Sequence, residues 1–264
     1  GEDAVYCCSQ SMSFGVADGV GGSASEGCDP GLFSRAVLEA ARAAFRHGSG
    51  DSAAAAALRP AAAAVAAEAG RYGAGSTTML LGRLEPEPAG AGAGAASSGW
   101  LSVANLGDSG ALVLRPAPYQ PRRGERPVLW PRPVLRTSEQ THFFNCPYQI
   151  SATTFDRTIA DGDFDELRVL VRPGDVVVAG TDGVWDNLFD QRVQSIVARH
   201  LPALKPNAGG EPGVDALAAA IADAAAAAGA REDDASLVTP FSVAAKAEGH
   251  DWPGGKLDDV AVAV

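Results

Sequence analysis

The chain has 264 residues, 46% of them hydrophobic and 20% charged, a composition that indicates a folded globular protein and excludes a disordered one. Its 21 basic and 32 acidic residues give a formal net charge of −11. This charge argues against nucleic acid or an anionic membrane as the main partner, and it suits a protein that binds cations. The sequence contains no apolar, uncharged run of about 18 residues, so we expect no membrane insertion.

The first half of the chain combines short apolar stretches with two helical patterns. The strands predicted there cover 5–8, 14–18, 77–84, 100–105 and 110–115. Apolar residues at helical spacing predict helices over 32–47 and 52–70. Two proline-containing tracts, 85–99 with Ala and Gly and 116–133 with Arg, predict flexible excursions from the fold.

The second half predicts strands and helices in separate groups. Strands over 167–171 and 176–179 flank a turn, and the alternating segment 257–264 predicts a final strand. Helices are predicted over 191–201 and 214–230. Because strands come in hairpins and helices in pairs, the sequence predicts an α+β fold with antiparallel sheets rather than a repeating βαβ pattern. We expect the whole chain, 1–264, to form a single domain.

Acidic residues recur at the ends of the predicted apolar strands. They are Glu2, Asp3, Asp18, Asp182, Asp258 and Asp259. A single Asp-Gly pair is usually no more than a turn. Several carboxylates at packed strand ends are different, because they repel one another and resist ionisation unless a cation lies among them. Ligands that are all oxygen favour Mg²⁺ or Mn²⁺, so this pattern indicates a site for one of these ions.

Two other patterns leave different functions open. Segment 19–24 fits the loose dinucleotide fingerprint G-x-G-x-x-G/A, which would make the protein a nucleotide-binding oxidoreductase. Against it, Asp18 would repel the pyrophosphate, and 25–30 is turn-forming where the fingerprint requires a helix. Segment 107–110 (GDSG) resembles the nucleophile segment of trypsin-like serine proteases, but His47 at a helix end is a poor partner for it.

Six segments together resemble the metal-dependent serine/threonine phosphatases of type 2C. In chain order they are 1–4 (GEDA), 14–22 (FGVADGVGG), 75–78 (GSTT), 104–109 (ANLGDS), 180–186 (GTDGVWD) and 256–260 (KLDDV). They occur in that family's order and cover nearly the whole chain. Segment 139–149 (EQTHFFNCPYQ) is similar to the organellar branch of the family, found in mitochondria and plastids. The resemblance implies a four-layer αββα sandwich, in which two antiparallel sheets are stacked face to face with helix pairs outside.

The resemblance also implies a centre for two Mg²⁺ or Mn²⁺ ions. By this comparison Asp18 bridges both ions, and the backbone carbonyl of Gly19 holds one of them. Asp182 and Asp258 hold the other, and with Asp18 they form the catalytic set. The implied activity is hydrolysis of phosphoserine and phosphothreonine by a water that the two ions activate, with no protein nucleophile.

Four further acidic residues take outer roles in the same comparison. Glu2 and Asp3 bind the ions directly or through water, and Asp108 matches a position linked to a third, weaker ion. For Asp108, a simple turn residue after Gly107 is nearly as good an interpretation. Asp259 stands where the family usually has Asn, which places it behind the ligands.

Two departures from the family pattern bear on catalysis. Val20 stands where the family often has the His that protonates the leaving group. The family also grips phosphate with an arginine shortly before the Glu-Asp pair, and because this sequence begins at Gly1 that residue is absent or trimmed away. A catalytically weak or inactive relative that binds phosphoproteins or acts as a scaffold is therefore the alternative. His142 is a conceivable substitute acid, although a lone loop histidine is more often structural.

The expected partner is a phosphoprotein substrate, and nucleic acid is not expected to bind. We expect a monomer in a mitochondrion or plastid. No targeting segment is present in the sequence, which begins at Gly1, so this localisation rests on the resemblance alone.

Overall fold

The computed structural model of the chain describes residues 1–21, 29–47, 75–86, 98–122, 124–151, 164–204 and 211–264. Its strands are β1 (Ala4–Cys8), β2 (Ser13–Ala17), β3 (Ser76–Thr77), β4 (Met79–Pro86), β5 (Gly99–Leu106), β6 (Gly110–Tyr119), β7 (Val128–Arg136), β8 (Thr141–Phe143), β9 (Cys146–Pro147), β10 (Ile150–Ser151), β11 (Asp165–Val171), β12 (Val176–Gly180) and β13 (Val262–Ala263). Its helices are α1 (Pro30–His47), α2 (Asp182–Trp185), α3 (Asp190–His200), α4 (Glu211–Gly229) and α5 (Pro240–Ala247).

Two antiparallel sheets form the centre of the molecule. In the described part of the chain the first sheet has five strands in the order β1-β2-β4-β5-β11, and the second has four in the order β13-β12-β6-β7. The pairs β3-β10 and β8-β9 form two small additional sheets. Within each large sheet every pair of neighbours is antiparallel, which confirms the predicted α+β class.

Three apolar cores separate the layers. Residues such as Val16, Leu101 and Val113 fill the space between the two large sheets. Helix α1 covers the outer face of the first sheet with Phe33, Val37, Ala41 and Phe45, which recur every four residues and so lie on one helix face.

On the opposite side of the molecule, helices α3 and α4 cover the second sheet. Val193, Ile196 and Val197 of α3 pack with Leu217 and Ile221 of α4 over the buried residues of β6 and β12. This layer order is the expected αββα sandwich. The helix predicted over 52–70, which would pair with α1, lies outside the described residues.

The alternation of side chains along β1 and β2 explains how one strand serves two cores. Ala17 packs against α1, whereas Val16 faces the other sheet. Ala4 lies opposite Ala17 in the register of β1 and β2, so the start of β1 and the end of β2 lie at the same end of the sheet. That end carries the predicted site.

Three expectations from the sequence need correction, and one helix was missed. The tract 116–133 contains regular structure, because β6 continues to Tyr119 and pairs with β7 from Val128. Its prolines fit there because β7 is an edge strand and Pro116 faces Pro131, so neither residue needs an N–H. Residues 87–97 of the other tract lie outside the described residues.

The remaining corrections concern strand partners and element lengths. Strands β11 and β12 do not form a hairpin, because β11 pairs with β5 and β12 with β6 in the other sheet. The final strand is only Val262–Ala263. Helix α5 was not predicted, although Thr239 caps it and Pro240 begins it, which is a recognisable helix start.

The dinucleotide-binding alternative is wrong for this fold. Strand β2, which precedes the glycine segment, lies between two antiparallel neighbours. Helix α1 begins only at Pro30, and Gly19 instead bridges Thr77 of β3. The dinucleotide fingerprint requires a parallel βαβ unit whose helix begins at the glycines.

No described helix is both long enough and apolar enough to cross a membrane. The two ends of the chain meet, since the N–H of Glu2 donates to the Asp259 carboxylate at 2.5 Å across 257 positions. A single domain over 1–264 stays a prediction.

Candidate metal centre

Asp18 follows directly after the buried strand β2, and its backbone is fixed by the neighbouring segment. Its carbonyl accepts hydrogen bonds from the Thr78 N–H at 2.9 Å and from the Thr77 hydroxyl at 2.6 Å. The next residue, Gly19, donates its N–H to the carbonyl of Glu2 at 3.2 Å. The first predicted ligand is therefore held between β1 and β3, close to the chain's N-terminal acidic pair.

Close packing explains the glycine that follows Asp18. A Cβ atom at Gly19 would lie 2.7 Å from the carbonyl oxygens of both Glu2 and Pro30, a distance that real Cβ atoms do not tolerate. Any side chain there would push Asp18 away from β1 and α1. Glycine is therefore required by space, independently of the ligand role that the resemblance gives to its carbonyl.

Thr181 joins three parts of the chain around the second predicted ligand. It directly follows β12 and stands at the N-cap of α2, but its hydroxyl does not cap the helix. Instead the hydroxyl donates to Asp3 at 2.7 Å and accepts from the Ala261 N–H at 3.1 Å. One threonine therefore places Asp3 of the first sheet beside Asp182 and the C-terminal strand of the second.

The Asp108 turn is fixed by a second set of hydrogen bonds. Gly107 has a φ of +99°, which favours glycine, and its carbonyl accepts from the side chain of Asn105 at 3.2 Å and from the Gln140 N–H at 2.9 Å. A Cβ at Gly107 would lie 2.6 Å from the carbonyl oxygen of Tyr148. Segment 138–149 therefore packs directly on the turn that presents Asp108.

Two of the predicted ligands carry buried oxygens that lack a hydrogen-bond partner. They are Oδ1 of Asp182, a residue only 6% exposed, and Oδ1 of Asp108. Buried acceptors almost always find a donor, so such atoms require an explanation. Acceptor oxygens on carboxylates are the ligands that Mg²⁺ and Mn²⁺ prefer, and the donor set therefore fits the expected ions.

The predicted ligands are buried near one another, and their negative charges raise one another's pKa values. Burial, and after it the charge of Asp182, raises the pKa of Asp18 to about 10, with Asp3 and Asp108 adding to the effect. Burial raises the pKa of Asp3 to about 7 and, with the charge of Asp182, that of Asp108 to about 8. Burial and the charges of the C-terminal aspartates also raise the pKa of Glu2.

The two C-terminal aspartates have different partners, as expected for neighbours on an extended segment. Asp259 accepts from the Glu2 N–H, whereas Oδ2 of Asp258 lies 3.2 Å from the ammonium of Lys256. Burial and then the charge of Asp182 raise the pKa of Asp258, which places it within the carboxylate cluster.

The structure adds Lys256 and Asp186, to which the sequence-based reasoning gave no role. The Lys256 Nζ lies 2.5 Å from Asp182 and 2.7 Å from Asp186. Burial works to lower the pKa of Lys256, but the negative charges of Asp186 and Asp182 outweigh it and raise that pKa above its ordinary value. Burial likewise raises the pKa of Asp186, to about 7, despite the nearby Lys256. The sequence did contain a signal for both residues, because Asp186 lies in segment 180–186 and Lys256 in segment 256–260, two of the segments that resemble the family.

The carboxylates converge but are not arranged as a finished ligand set. Within the described ranges, no three His, Cys, Asp or Glu side chains already form a group that could hold a metal ion. Val20 has no ionisable side chain, and the exposed His142 ring packs against Tyr148 at 4.2 Å.

Comparison with known proteins now identifies the family. No family model matches the chain. "Probable protein phosphatase 2C 55" of Arabidopsis thaliana is 33% identical over 264 residues, all of this chain and 47% of that protein. "Protein phosphatase PTC7 homolog fig" of Drosophila yakuba is 30% identical over 272 residues, 99% of this chain and 74% of that protein.

The chain belongs to the type 2C protein phosphatase family. It spans about half the length of the first of these relatives, 69% of "Probable protein phosphatase 2C 1" of Oryza sativa subsp. japonica and 77% of "Probable protein phosphatase 2C 26" of Arabidopsis thaliana.

Solved structures agree on the fold of this member of the type 2C family. The X-ray structure of the photosystem II phosphatase PBCP has a TM-score of 0.72 and 27% identity, and covers 99% of this chain and 90% of its own. The catalytic domain of the serine/threonine phosphatase PstP, in complex with 2 manganese ions, has a TM-score of 0.52 and 19% identity. It covers 85% of this chain and 84% of its own, and supports the fold alone.

The raised pKa values predict an unusual pH dependence of the stability of the metal-free chain. Asp18, Asp3 and Asp108 keep protons in the folded state at pH values where the unfolded chain has lost them. Each such group lowers the free energy of unfolding as the pH rises from its unfolded pKa towards its folded pKa. In chelator, the melting temperature should therefore fall as the pH rises from 6 to 9.

Differential scanning calorimetry in EDTA measures this, with Asp18→Asn as the comparison. The variant should show a shallower fall, because the neutral amide has no proton to lose. Added Mn²⁺ should raise the melting temperature more at pH 9 than at pH 6, since the ion must displace protons at the lower pH. A melting temperature that is constant or rises over this pH range in EDTA would contradict the predicted protonation.

Proposed function

We propose that this chain is a Mg²⁺- or Mn²⁺-dependent phosphatase that hydrolyses phosphoserine and phosphothreonine in proteins. The observation that carries the proposal is the convergence of Asp3, Asp18, Asp108 and Asp182 at one end of the sandwich, with raised pKa values or unpartnered oxygens. These residues come from distant parts of the chain, and repulsion among them gives no benefit to the fold. A cation-binding function accounts for their burial together.

We assign the ligand roles that the resemblance implies. Asp18 would bridge two ions, with the carbonyl of Gly19 on one and Asp182 and Asp258 on the other. PstP, a neighbour in fold, holds two manganese ions in its own structure. The pair of ions assigned here rests on the resemblance of the motifs.

Three acidic residues complete the assignment. Glu2 and Asp3 would act directly or through water. Asp108 would hold a third, weaker ion, which its unpartnered buried oxygen supports.

The chain's own residues would hold the ions and orient the acidic side chains. When bound, a pair of divalent cations supplies an acidified water for in-line attack on phosphorus and neutralises phosphoryl charge. The Thr181 hydroxyl fixes the rotamer of Asp3 by donating to it. Thr77 and Thr78 fix the backbone of Asp18, so the main chain that carries this carboxylate does not have to be ordered when substrate binds.

At position 20 the chain has a valine and therefore no proton donor for the leaving group. With no ionisable side chain at this position, the proton for a departing serine oxygen would have to come from water or another group. We therefore expect a stronger preference for aryl phosphates, whose leaving groups need no proton, than a family member with a histidine there would show.

The cellular context is also a proposal. The likeness to the photosystem II phosphatase PBCP supports a plastid over a mitochondrion and a phosphoprotein as substrate. We propose a monomer. Microscopy of the full-length protein fused to a fluorescent protein, in a cell with both organelles, tests the localisation.

Substitution of the proposed bridging residue tests the function. Asp18→Asn keeps the side-chain shape but removes the charge shared by both ions, so the rate of phosphopeptide hydrolysis at saturating Mn²⁺ should fall by about 10²-fold or more. Phosphate release from phosphoserine and phosphothreonine peptides is the measurement. The exposed Asp223→Asn on α4 removes the same charge away from the site and should retain full activity. Near-native turnover by Asp18→Asn would falsify the proposed role of this residue.

A second pair of substitutions tests the C-terminal register. Asp258→Ala removes a proposed ligand and should abolish measurable turnover. Asp259→Asn keeps an oxygen that can accept from the Glu2 N–H, so it should retain most of the activity. The comparison is kcat at saturating Mn²⁺, with circular dichroism to verify folding. If Asp259→Asn were inactive and Asp258→Ala active, the assignment would be one residue out of register.

A further inference from the structure

Lys256 lies at the centre of the carboxylate cluster. Its ammonium contacts Asp182 at 2.5 Å, Asp186 at 2.7 Å and Asp258 at 3.2 Å, and its side chain is only 14% exposed. Two of these three partners are the residues proposed above to hold the second metal ion. The lysine therefore contacts, with its single positive charge, one oxygen of each carboxylate that the proposed function assigns to a divalent cation.

The backbone of Lys256 is held in place by a buried amide. The Asn187 side chain accepts from the Lys256 N–H at 3.0 Å and donates to the Lys256 carbonyl at 2.8 Å. The same amide also donates to the carbonyl of Gly183 at 3.0 Å, which ties this clamp to the helix that begins with Asp182. The position of the main chain is therefore fixed, and only the four-carbon stem of the lysine can move its charge.

The three carboxylates differ in what else they contact. Asp182 keeps its other oxygen buried and without a hydrogen-bond partner, and Asp258 is about one-third exposed. Asp186 is the residue after α2, and its carbonyl also accepts from the N–H of Phe241. The Phe241 ring lies 5.2 Å from the Lys256 ammonium, so Asp186 and Phe241 together offer the lysine a place on the side of α5.

We propose that Lys256 is a tethered counter-cation that competes with the second divalent ion for Asp182 and Asp258. In the metal-free protein it neutralises part of the buried charge and stabilises the fold. When the ion binds, the ammonium gives up these two carboxylates and stays with Asp186. The proposal rests on the proposed function only for the assignment of Asp182 and Asp258 as ligands, and it does not depend on the substrate.

Such a residue positions the ligands and sets the metal affinity of the site. An ion can displace the lysine only by the difference between its own affinity and the strength of the lysine contacts. Removing the lysine should therefore have opposite effects on two quantities: it should weaken the metal-free fold and tighten metal binding. A purely structural lysine would change the first quantity and would not tighten metal binding.

The test measures Mn²⁺ binding by isothermal titration calorimetry and the melting temperature in EDTA for Lys256→Met. Mn²⁺ should bind at least about tenfold more tightly than to the native chain, which corresponds to the loss of one charged hydrogen bond. The melting temperature in EDTA should fall, because buried carboxylates lose their counter-charge. Lys246→Met, which removes an exposed lysine from α5, should change neither quantity.

Asp186→Asn provides a second experiment, in which the expected change in Mn²⁺ affinity has the opposite sign. If Asp186 is the place to which the lysine moves, its neutralisation should weaken Mn²⁺ binding in the native background. The same substitution should have no effect when combined with Lys256→Met, since Asp186 would act only through the lysine. A direct metal ligand at position 186 would instead weaken binding in both backgrounds, and that result would overturn the assignment of Asp186.

The outcomes separate this proposal from the proposed function. Equal or weaker Mn²⁺ binding by Lys256→Met overturns the counter-cation while leaving metal-dependent catalysis intact. Absence of Mn²⁺ binding by both the native chain and Lys256→Met overturns both. If Lys256→Met does not fold, Lys256→Gln, which keeps hydrogen-bond donors without the charge, carries the same expectation of tighter binding.

Discussion

Repulsion among buried carboxylates at one end of the β-sandwich is the constraint on which this structure depends. Asp18 and Asp182 each follow a strand of a different sheet, and the packed sheets hold those strand ends beside each other. The carboxylates therefore cannot separate without disrupting the apolar core between the sheets. The burial of that core offsets the repulsion, and a bound cation would relieve it. Strain of this kind at a functional site is common in proteins that bind charged ligands.

The hydrogen bonds around the cluster join segments that are far apart in the chain. Thr181 connects Asp3 with the C-terminal strand, and the Glu2 N–H reaches Asp259. These bonds position the acidic residues without neutralising them, because most of them involve backbone groups or hydroxyls. Lys256 is the described cation that lies among the acidic residues of the cluster, and it contacts the side that the second ion is proposed to occupy. Hydrogen bonds therefore position the acidic residues around Asp3 and Asp259, whereas the ammonium of Lys256 contacts Asp182 and Asp258 on the other side of the site.

The sequence predicted many of the strands and helices, and the acidic residues at strand ends, because both depend on local patterns; the order of the layers came from the family resemblance. Apolar periodicity identified α1 and the strands that end at Asp18 and Asp182. Partnership over long distances was not predictable from such patterns: Lys256 meets Asp182 from 74 positions away. For the same reason the pattern around 172–175 indicated a hairpin, although its two strands enter different sheets. Proline content concealed the paired strands within 116–133, because an edge strand tolerates prolines that a central strand would not.

The central claim is that the acidic end of the sandwich holds a pair of divalent ions on Asp18. Anomalous diffraction at the manganese absorption edge, from crystals of the protein soaked in Mn²⁺, measures this directly. The account predicts two neighbouring peaks that share the Asp18 carboxylate, with Asp182 and Asp258 on one of them and the Lys256 ammonium beside Asp186. Absence of any peak within coordination distance of Asp18 at saturating Mn²⁺ would contradict the account, as would a single ion held without Asp18.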